Sequence, residues 1–417
     1  MKRESFGSRL GFILVSAGCA IGIGNVWKFP YICGAYGGAA FILIYLLFLI
    51  ILGIPVLVCE FAVGRGSRKS VALSFDELQS KNGKWTPLKF IGIIGCYMLM
   101  MFYTTVGGWL MYYCYKGIRG SFVNASSDNI STQFSQMLTD VPTMLFWTIL
   151  ICVIGFAVCM FGLNNGIERV TKVMMTALIL IMVVLAIRSV TMTGAGEGIR
   201  FYLIPDFHKM VESGIGNVVF AALSQAFFTL SIGIGAMLIF GSYLDQSRSL
   251  TGEAVNIMLL DTFVALTAGF IIIPACFAYG IEPGAGPSLI FITLPNIFAQ
   301  MSGGRIWAFL FFLFLTFAAL STIIAVFENL VMFNMELLGW RRKKSVLVCA
   351  TLIIIFSIPC VLGFNVWSGV QLLGEGSTIM DLEDFIVSNN LLPLGSLGYV
   401  LFCTRKNGWG WGAFIKE

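Results

Sequence analysis

The sequence predicts an all-α integral membrane protein, folded as an inverted five-plus-five helix repeat in which spans 1 and 6 are unwound. Three observations carry this. Of 417 residues 58% are apolar and only 11% are charged, against about a quarter charged in ordinary soluble domains. The apolar stretches are continuous, as in Leu46–Val58 and Leu178–Ile187, and lack the period-two alternation of barrel strands. Two of the stretches, five spans apart, are interrupted by glycines and polar residues. Such composition excludes a soluble enzyme and a disordered chain, because neither could cover its surface with so little charge. At about 20 residues per crossing, roughly 240 apolar residues allow at most about twelve spans.

Ten apolar segments can be drawn, near 10–32, 39–64, 88–117, 142–162, 166–188, 214–243, 251–279, 304–338, 345–363 and 380–403. Long outer loops are expected at 118–141 and 189–213. A third, at 280–303, carries Glu282-Pro-Gly-Ala-Gly-Pro and the short piece Leu289–Ala299, which suits a re-entrant or surface helix. The first apolar run is long and other spans follow it, so no cleavable signal peptide is expected. Most of the 26 Lys and Arg fall on one side if the N-terminus is inside, among them the block Arg341–Lys344. The sequence therefore predicts a multi-pass protein of the cell inner (plasma) membrane with both termini cytoplasmic. The net charge of +5 reflects this topology and implies no nucleic-acid partner.

Span 1 reads Ser16-Ala-Gly-Cys-Ala-Ile-Gly-Ile-Gly-Asn-Val-Trp-Lys-Phe-Pro30, and span 6 reads Ser224-Gln-Ala-Phe-Phe-Thr-Leu-Ser-Ile-Gly-Ile-Gly235. Glycine costs a helix about 1 kcal/mol relative to alanine, and unsatisfied backbone in lipid costs several kcal/mol more. Close helix packing would explain Gly18 and Gly22, which are four residues apart. It does not explain Asn25, Gln225 and Thr229 at the same depth. Interrupted helices at matching positions in two halves point to a transporter with a midplane site. The halves would be 1–188 and 214–403, with 404–417 as a cytoplasmic tail. Asp261 in span 7 needs a cation or donor, since a carboxylate in mid-membrane costs at least about 2.5–3.5 kcal/mol. Ser321 and Thr322 in span 8 add hydroxyls, which taken alone could bond back to their own helix. The convergence of oxygens without thiolate or imidazole favours an alkali cation. No nucleophile–base pair suggests an enzyme.

In these motifs the sequence resembles the neurotransmitter:sodium symporter family, in its bacterial amino-acid transporter branch. The resemblance runs from Ser8-Arg-Leu-Gly and Gly22-Ile-Gly-Asn-Val-Trp-Lys-Phe-Pro through Gly37-Gly-Ala-Ala-Phe, Gly53-Ile-Pro and Asn165-Gly-Ile-Glu-Arg. It continues in Gln225-Ala-Phe-Phe-Thr-Leu-Ser and Ser321-Thr322 and ends at Asp384-Phe. It implies the LeuT-like fold. The leucine-transporter prototype is itself a worked case of the broken-helix rule, so the architecture is not an independent deduction.

The resemblance further implies two sodium sites. The first would use Ala20, Asn25, Thr229, Asp261 and the substrate carboxylate. The second would use the carbonyls of Gly18, Ile21 and Ala318 with the hydroxyls of Ser321 and Thr322. Tyr45, Gln225, Thr229 and Asp261 match the chloride region of animal relatives. Ala265 lacks the hydroxyl found in chloride-dependent members and Asp261 already carries charge, so chloride is not expected to be required.

An amino-acid carboxylate would meet the Ile23 and Gly24 amides and the Tyr103 hydroxyl, and its amine the carbonyls of Ala20, Phe228, Thr229 and Ser231. Leu99, Phe102, Phe228, Ile234, Ala325 and Val326 would surround the side chain. Gly22 stands where monoamine carriers have an aspartate, which argues for a substrate with its own carboxylate. Lys28 and Asp384 would form an outer gate, with Phe228 as a lid. Arg3 and Glu336 would form an inner gate, with Tyr243 nearby. Cys19 replaces an asparagine of the prototype, and most relatives have Arg at the position of Lys28. The expected partners are the lipid bilayer and, as oligomer, a homodimer. The implied activity is sodium-coupled uptake of an apolar or aromatic amino acid by alternating access. The alternative is a transporter-like receptor that binds an amino acid without transporting it. Proton coupling through Asp261 is a further option.

Overall fold

Span 1 stops at Ala20 and resumes at Gly24, bent by 56°. This computed structural model describes residues 4–281 and 288–417. Among them eight helices are long and apolar enough to cross a membrane, and the bent span 1, Arg9–Ala20 with Gly24–Ala35, makes a ninth. Span 6 is the tenth and fails the length test because it too is broken. Helix Ile215–Thr229 ends in turns, and only the short helix Leu238–Gly241 follows. The unbroken spans are 2 (Ala39–Ser67), 3 (Leu88–Arg119), 4 (Val141–Met160), 5 (Leu163–Val190), 7 (Leu250–Ala278), 8 (Gly304–Leu338), 9 (Arg342–Leu362) and 10 (Ile379–Thr404).

Burial sorts these spans into layers. In its most apolar window span 8 is 78% buried and span 3 is 67% buried, whereas span 5 is 33% buried. Spans 3 and 8 therefore lie inside, with the first half-helix of span 1 packed against span 8 and the second against span 7. Spans 2, 4, 5 and 9 turn apolar side chains outward, among them Leu47, Phe146, Val173 and Leu347. With lipid as the solvent these exposed residues need no partner.

The segments 118–141 and 189–213, expected as loops, are largely helical. Ser126 caps helix Ser127–Thr139 by accepting from the Asn129 amide, and helices Ala195–Leu203 and Phe207–Glu212 follow span 5. Both segments have enough apolar residues on one face to dock. Phe134, for instance, stacks on Phe291 with ring centres 5.3 Å apart. The short piece at 289–299 forms helix Leu289–Gln300, and Glu282-Pro-Gly-Ala-Gly-Pro lies outside the described residues. Phe291 of that helix is fully buried among Trp27, Trp109, Tyr113 and Phe312. The piece thus packs where the C-terminal part of span 3 meets the N-terminal part of span 8. A further helix, Val71–Leu78, joins spans 2 and 3, with Ser70 as its cap.

Candidate functional site

The breaks in spans 1 and 6 free backbone groups, and neighbouring side chains take them up. The Gly22 amide donates to Asn25 Oδ1 at 3.1 Å. Asn25 Nδ2 donates to Asp261 Oδ1 at 2.8 Å and to the Asp261 carbonyl at 3.2 Å. Thr229 donates to Asp261 Oδ2 at 2.9 Å. All three side chains are fully buried. Spans 1, 6 and 7 therefore meet at one carboxylate, and Ala20 lines the adjoining cavity. Gln225 Nε2 donates to the Gly24 carbonyl at 2.8 Å, tying the two broken spans together.

A second group of oxygens lies between spans 1 and 8. Thr322 Oγ1 is 3.3 Å from both the Gly18 and Ile21 carbonyls and 3.4 Å from that of Ala318. Ser321 Oγ is 3.4 Å from the Ile21 carbonyl and 3.0 Å from that of Ala318. Most of these separations exceed the 2.5–3.0 Å range of hydroxyl hydrogen bonds. Two hydroxyls and three carbonyls thus gather in one place with mostly loose pairing, and this donor chemistry fits a hard cation.

Between the two groups lies a small cavity lined by Ala20, Gly24, Leu99, Tyr103, Phe228 and Ser231, together with Thr322 and Leu392. At its edge the Ile23 amide donates to the Tyr103 hydroxyl at 2.8 Å. A Cβ on Gly22 would lie 2.0 Å from that hydroxyl and 2.5 Å from Thr322 Oγ1, so only glycine fits this backbone. Ser231 occupies the left-handed region at φ 52° and donates to the Cys19 carbonyl at 3.1 Å. Ile234, Ala325 and Val326 are buried in the core but do not line this cavity.

Phe228 and Tyr103 also line a wider vestibule, with Ile23, Trp27, Tyr31, Phe102 and Val106. They form the partition between the two spaces. Above them Lys28 Nζ bridges Asp384, 2.9 Å from Oδ2 and 3.1 Å from Oδ1. Ser388 steadies the acid by donating to Oδ1 at 2.6 Å. The side chains of Lys28 and Asp384 are 26% and 36% exposed. Part-exposed pairs of this kind are worth at most about 1 kcal/mol.

On the opposite side Glu336 accepts from the Ser70 amide at 2.7 Å and from its hydroxyl at 2.8 Å. Arg3, its expected partner, lies outside the described residues. Tyr243 donates to Glu328 Oε1 at 3.3 Å and meets the Phe6 ring edge-on with centres 5.8 Å apart, and Arg342 binds both oxygens of Glu328 at 2.8 and 3.0 Å.

Glu328 and Glu60 were not singled out from the sequence. Glu60 sits fully buried in span 2 and accepts from the Gly233 amide at 2.5 Å and the Met237 amide at 3.2 Å. It thereby takes up the free amides of the break in span 6. The available signal was a lone carboxylate within an apolar run, which marks a functional position in a membrane.

A model of the sodium:neurotransmitter symporter family matches residues 3–133 and 128–374. An uncharacterised sodium-dependent transporter of Bacillus subtilis is 36% identical over 97% of this chain and 88% of its own length. One from Methanocaldococcus jannaschii is 30% identical over 95% of this chain and 80% of its own. The crystal structure of MhsT in complex with L-phenylalanine superimposes with a TM-score of 0.91 at 36% identity, covering 100% of this chain and 92% of that one.

Proposed function

The chain belongs to the sodium:neurotransmitter symporter family, and from that membership we propose that it couples sodium entry to uptake of an apolar or aromatic amino acid by alternating access. The observation that carries the proposal is the meeting of both broken spans at the Asn25–Asp261–Thr229 cluster beside the Ile23–Tyr103 contact.

The substrate carboxylate binds at the Ile23 and Gly24 amides, where a half-helix N-terminus favours an anion. Tyr103 accepts from Ile23, so its own hydrogen is available to the carboxylate. Carbonyls of Ala20, Phe228, Thr229 and Ser231 receive the amine. Leu99, Phe102 and Phe228 surround the side chain, with Ile234, Ala325 and Val326 backing the pocket from the core, and no charged residue among them offers a charged substrate a partner. L-phenylalanine in the related MhsT supports this substrate class.

One sodium ion binds at Ala20, Asn25, Thr229, Asp261 and the substrate carboxylate. A second binds at Gly18, Ile21, Ala318, Ser321 and Thr322. Charge on Asp261 removes the need for chloride. Lys28–Asp384 and Phe228 close the outer side, and Arg3, Glu336 and Tyr243 close the inner side. The repeats 1–188 and 214–403 rock about the midplane site, 404–417 is a cytoplasmic tail, and the protein sits in the plasma membrane as a homodimer with both termini inside.

Uptake into proteoliposomes tests this directly. Labelled amino acids offered one at a time should accumulate only under an inward sodium gradient, and apolar or aromatic ones should compete best. Binding without accumulation sinks the transport reading, and uptake driven by a pH gradient in sodium-free buffer sinks the sodium coupling.

A further inference from the structure

Helix Ile379–Ile386 begins span 10 and packs on spans 3 and 9. One face of it lines the vestibule with Met380, Asp381 and Asp384. Glu383 lies on the flank turned to spans 3 and 9. It is 4% exposed, and among the described residues neither of its carboxyl oxygens has a hydrogen-bond partner. No described Lys, Arg or His pairs with it. The Cys360 thiol of span 9 lies beside it and also faces the Thr105 hydroxyl of span 3, but a thiol is only a weak donor. The remaining charges nearby do not help. Asp381 and Asp384 on its own helix are acids, Lys28 is held by Asp384, and span 3 faces it with Thr105, which does not titrate.

An ionised carboxylate buried without donors costs far more than the neutral acid. We propose that Glu383 is a proton-binding site coupled to the Lys28–Asp384 contact, neutral while span 10 is packed as here and ionised when the helix moves away. This rests on the reading of that contact as the outer gate. Glu383 is the chain neighbour of Asp384, and Asp381, two residues earlier, is exposed. A motion that parts Asp384 from Lys28 therefore draws Glu383 from between spans 3 and 9 toward water. The π-helical turn Val387–Leu391 directly follows the helix and gives it a place to bend. Closing the gate takes one proton from water onto the carboxylate, and opening returns it. The neutral form belongs to the closed state, so closure is favoured at low pH and weakens as pH rises.

The test reads the gate without any substrate, in the full chain reconstituted in proteoliposomes. The native cysteines are all buried. Val106→Cys, in the vestibule at 3% exposure, then reports opening through its rate of reaction with a membrane-impermeant thiol reagent. Dividing by the rate in a Glu383→Gln background cancels the thiol's own pH dependence. The ratio should rise about tenfold between about pH 6 and pH 9, the range in which buried carboxyls are known to titrate, as linkage of one proton requires. Glu383→Asp should keep the rise. Glu383→Leu, which suits the apolar surroundings, should match Glu383→Gln and melt at a higher temperature than wild type at the alkaline end. A flat ratio, or a wild-type profile in Glu383→Leu, overturns the proton coupling alone. Asp384→Asn should speed the reaction at every pH, and if it does not, the gate reading falls and the coupling with it.

Discussion

The Lys28 ammonium lies 4.5 Å from the centre of the Phe228 ring while it bridges both oxygens of Asp384. The Lys28–Asp384 pair and the Phe228 ring that partitions the cavity from the vestibule therefore share one cation. Phe228→Leu keeps apolar bulk but loses the π face, worth about 0.5–1 kcal/mol at a half-exposed site. Bound amino acid should then escape outward about two- to fivefold faster, read as the efflux rate of preloaded label. An unchanged rate would show that ring and ammonium do not act together.

Asp261 is the one charged side chain in its cluster, and both of its oxygens are engaged, by Asn25 and Thr229. Asp261→Asn keeps the shape and removes the charge. Sodium should then be needed at about tenfold higher concentration for half-maximal substrate binding, equivalent to one charge-assisted contact. Expression should change little. Sodium titration of substrate binding checks this, and an unshifted midpoint rejects the first cation site.

Gly22 has no room for a methyl group, because Tyr103 and Thr322 already occupy the space. Gly22→Ala should lower both the melting temperature and substrate affinity. Adding Tyr103→Phe removes the closer clash, so part of the melting temperature should return. Binding should not return, because the hydroxyl proposed to hold the carboxylate is gone. Recovery of both would separate Tyr103 from substrate recognition.

Ser231 holds a left-handed backbone that costs an ordinary residue about 1–2 kcal/mol. Ser231→Gly relieves the strain and loses the hydrogen bond to Cys19, whereas Ser231→Ala loses the bond and keeps the strain. The alanine variant should therefore melt at the lower temperature. The reverse order in a thermal melt would show that the entropy glycine loses on folding outweighs the strain it relieves.

Glu60 accepts two amides of the unwound part of span 6. Glu60→Gln leaves a single acceptor oxygen and turns a donor group toward one of the amides. With charged hydrogen bonds worth about 1.5–3 kcal/mol, the variant should be destabilised by about that much and lose uptake. Thermal melts and proteoliposome uptake together read the effect. Full uptake would mean that the break in span 6 needs no carboxylate to hold it.

Much of this was legible in the sequence because the bilayer imposes strict rules. Apolar runs must be helical, so span 8 was drawn at 304–338 and forms helix Gly304–Leu338. Polar residues amid such runs must meet something, and this singled out Asn25, Gln225, Thr229 and Asp261. Glu60 and Glu328 are not legible as a pairing, because the partners they meet (the Gly233 and Met237 amides, and Arg342) lie on other helices or are of a kind the sequence does not mark. The outer helices at 127–139 and 195–203 have weak apolar patterns that gain meaning only from the surfaces they meet.

The sequence alone determined the solvent, the crossings and where two of them break, since each follows from local hydropathy and backbone chemistry. Only the tertiary structure decided that Lys28 touches both Asp384 and Phe228, and that Tyr103 meets the Ile23 amide. It also brought Glu60 to the break in span 6. Those contacts join residues 80 to 356 positions apart, and packing fixes such distances where composition and periodicity do not.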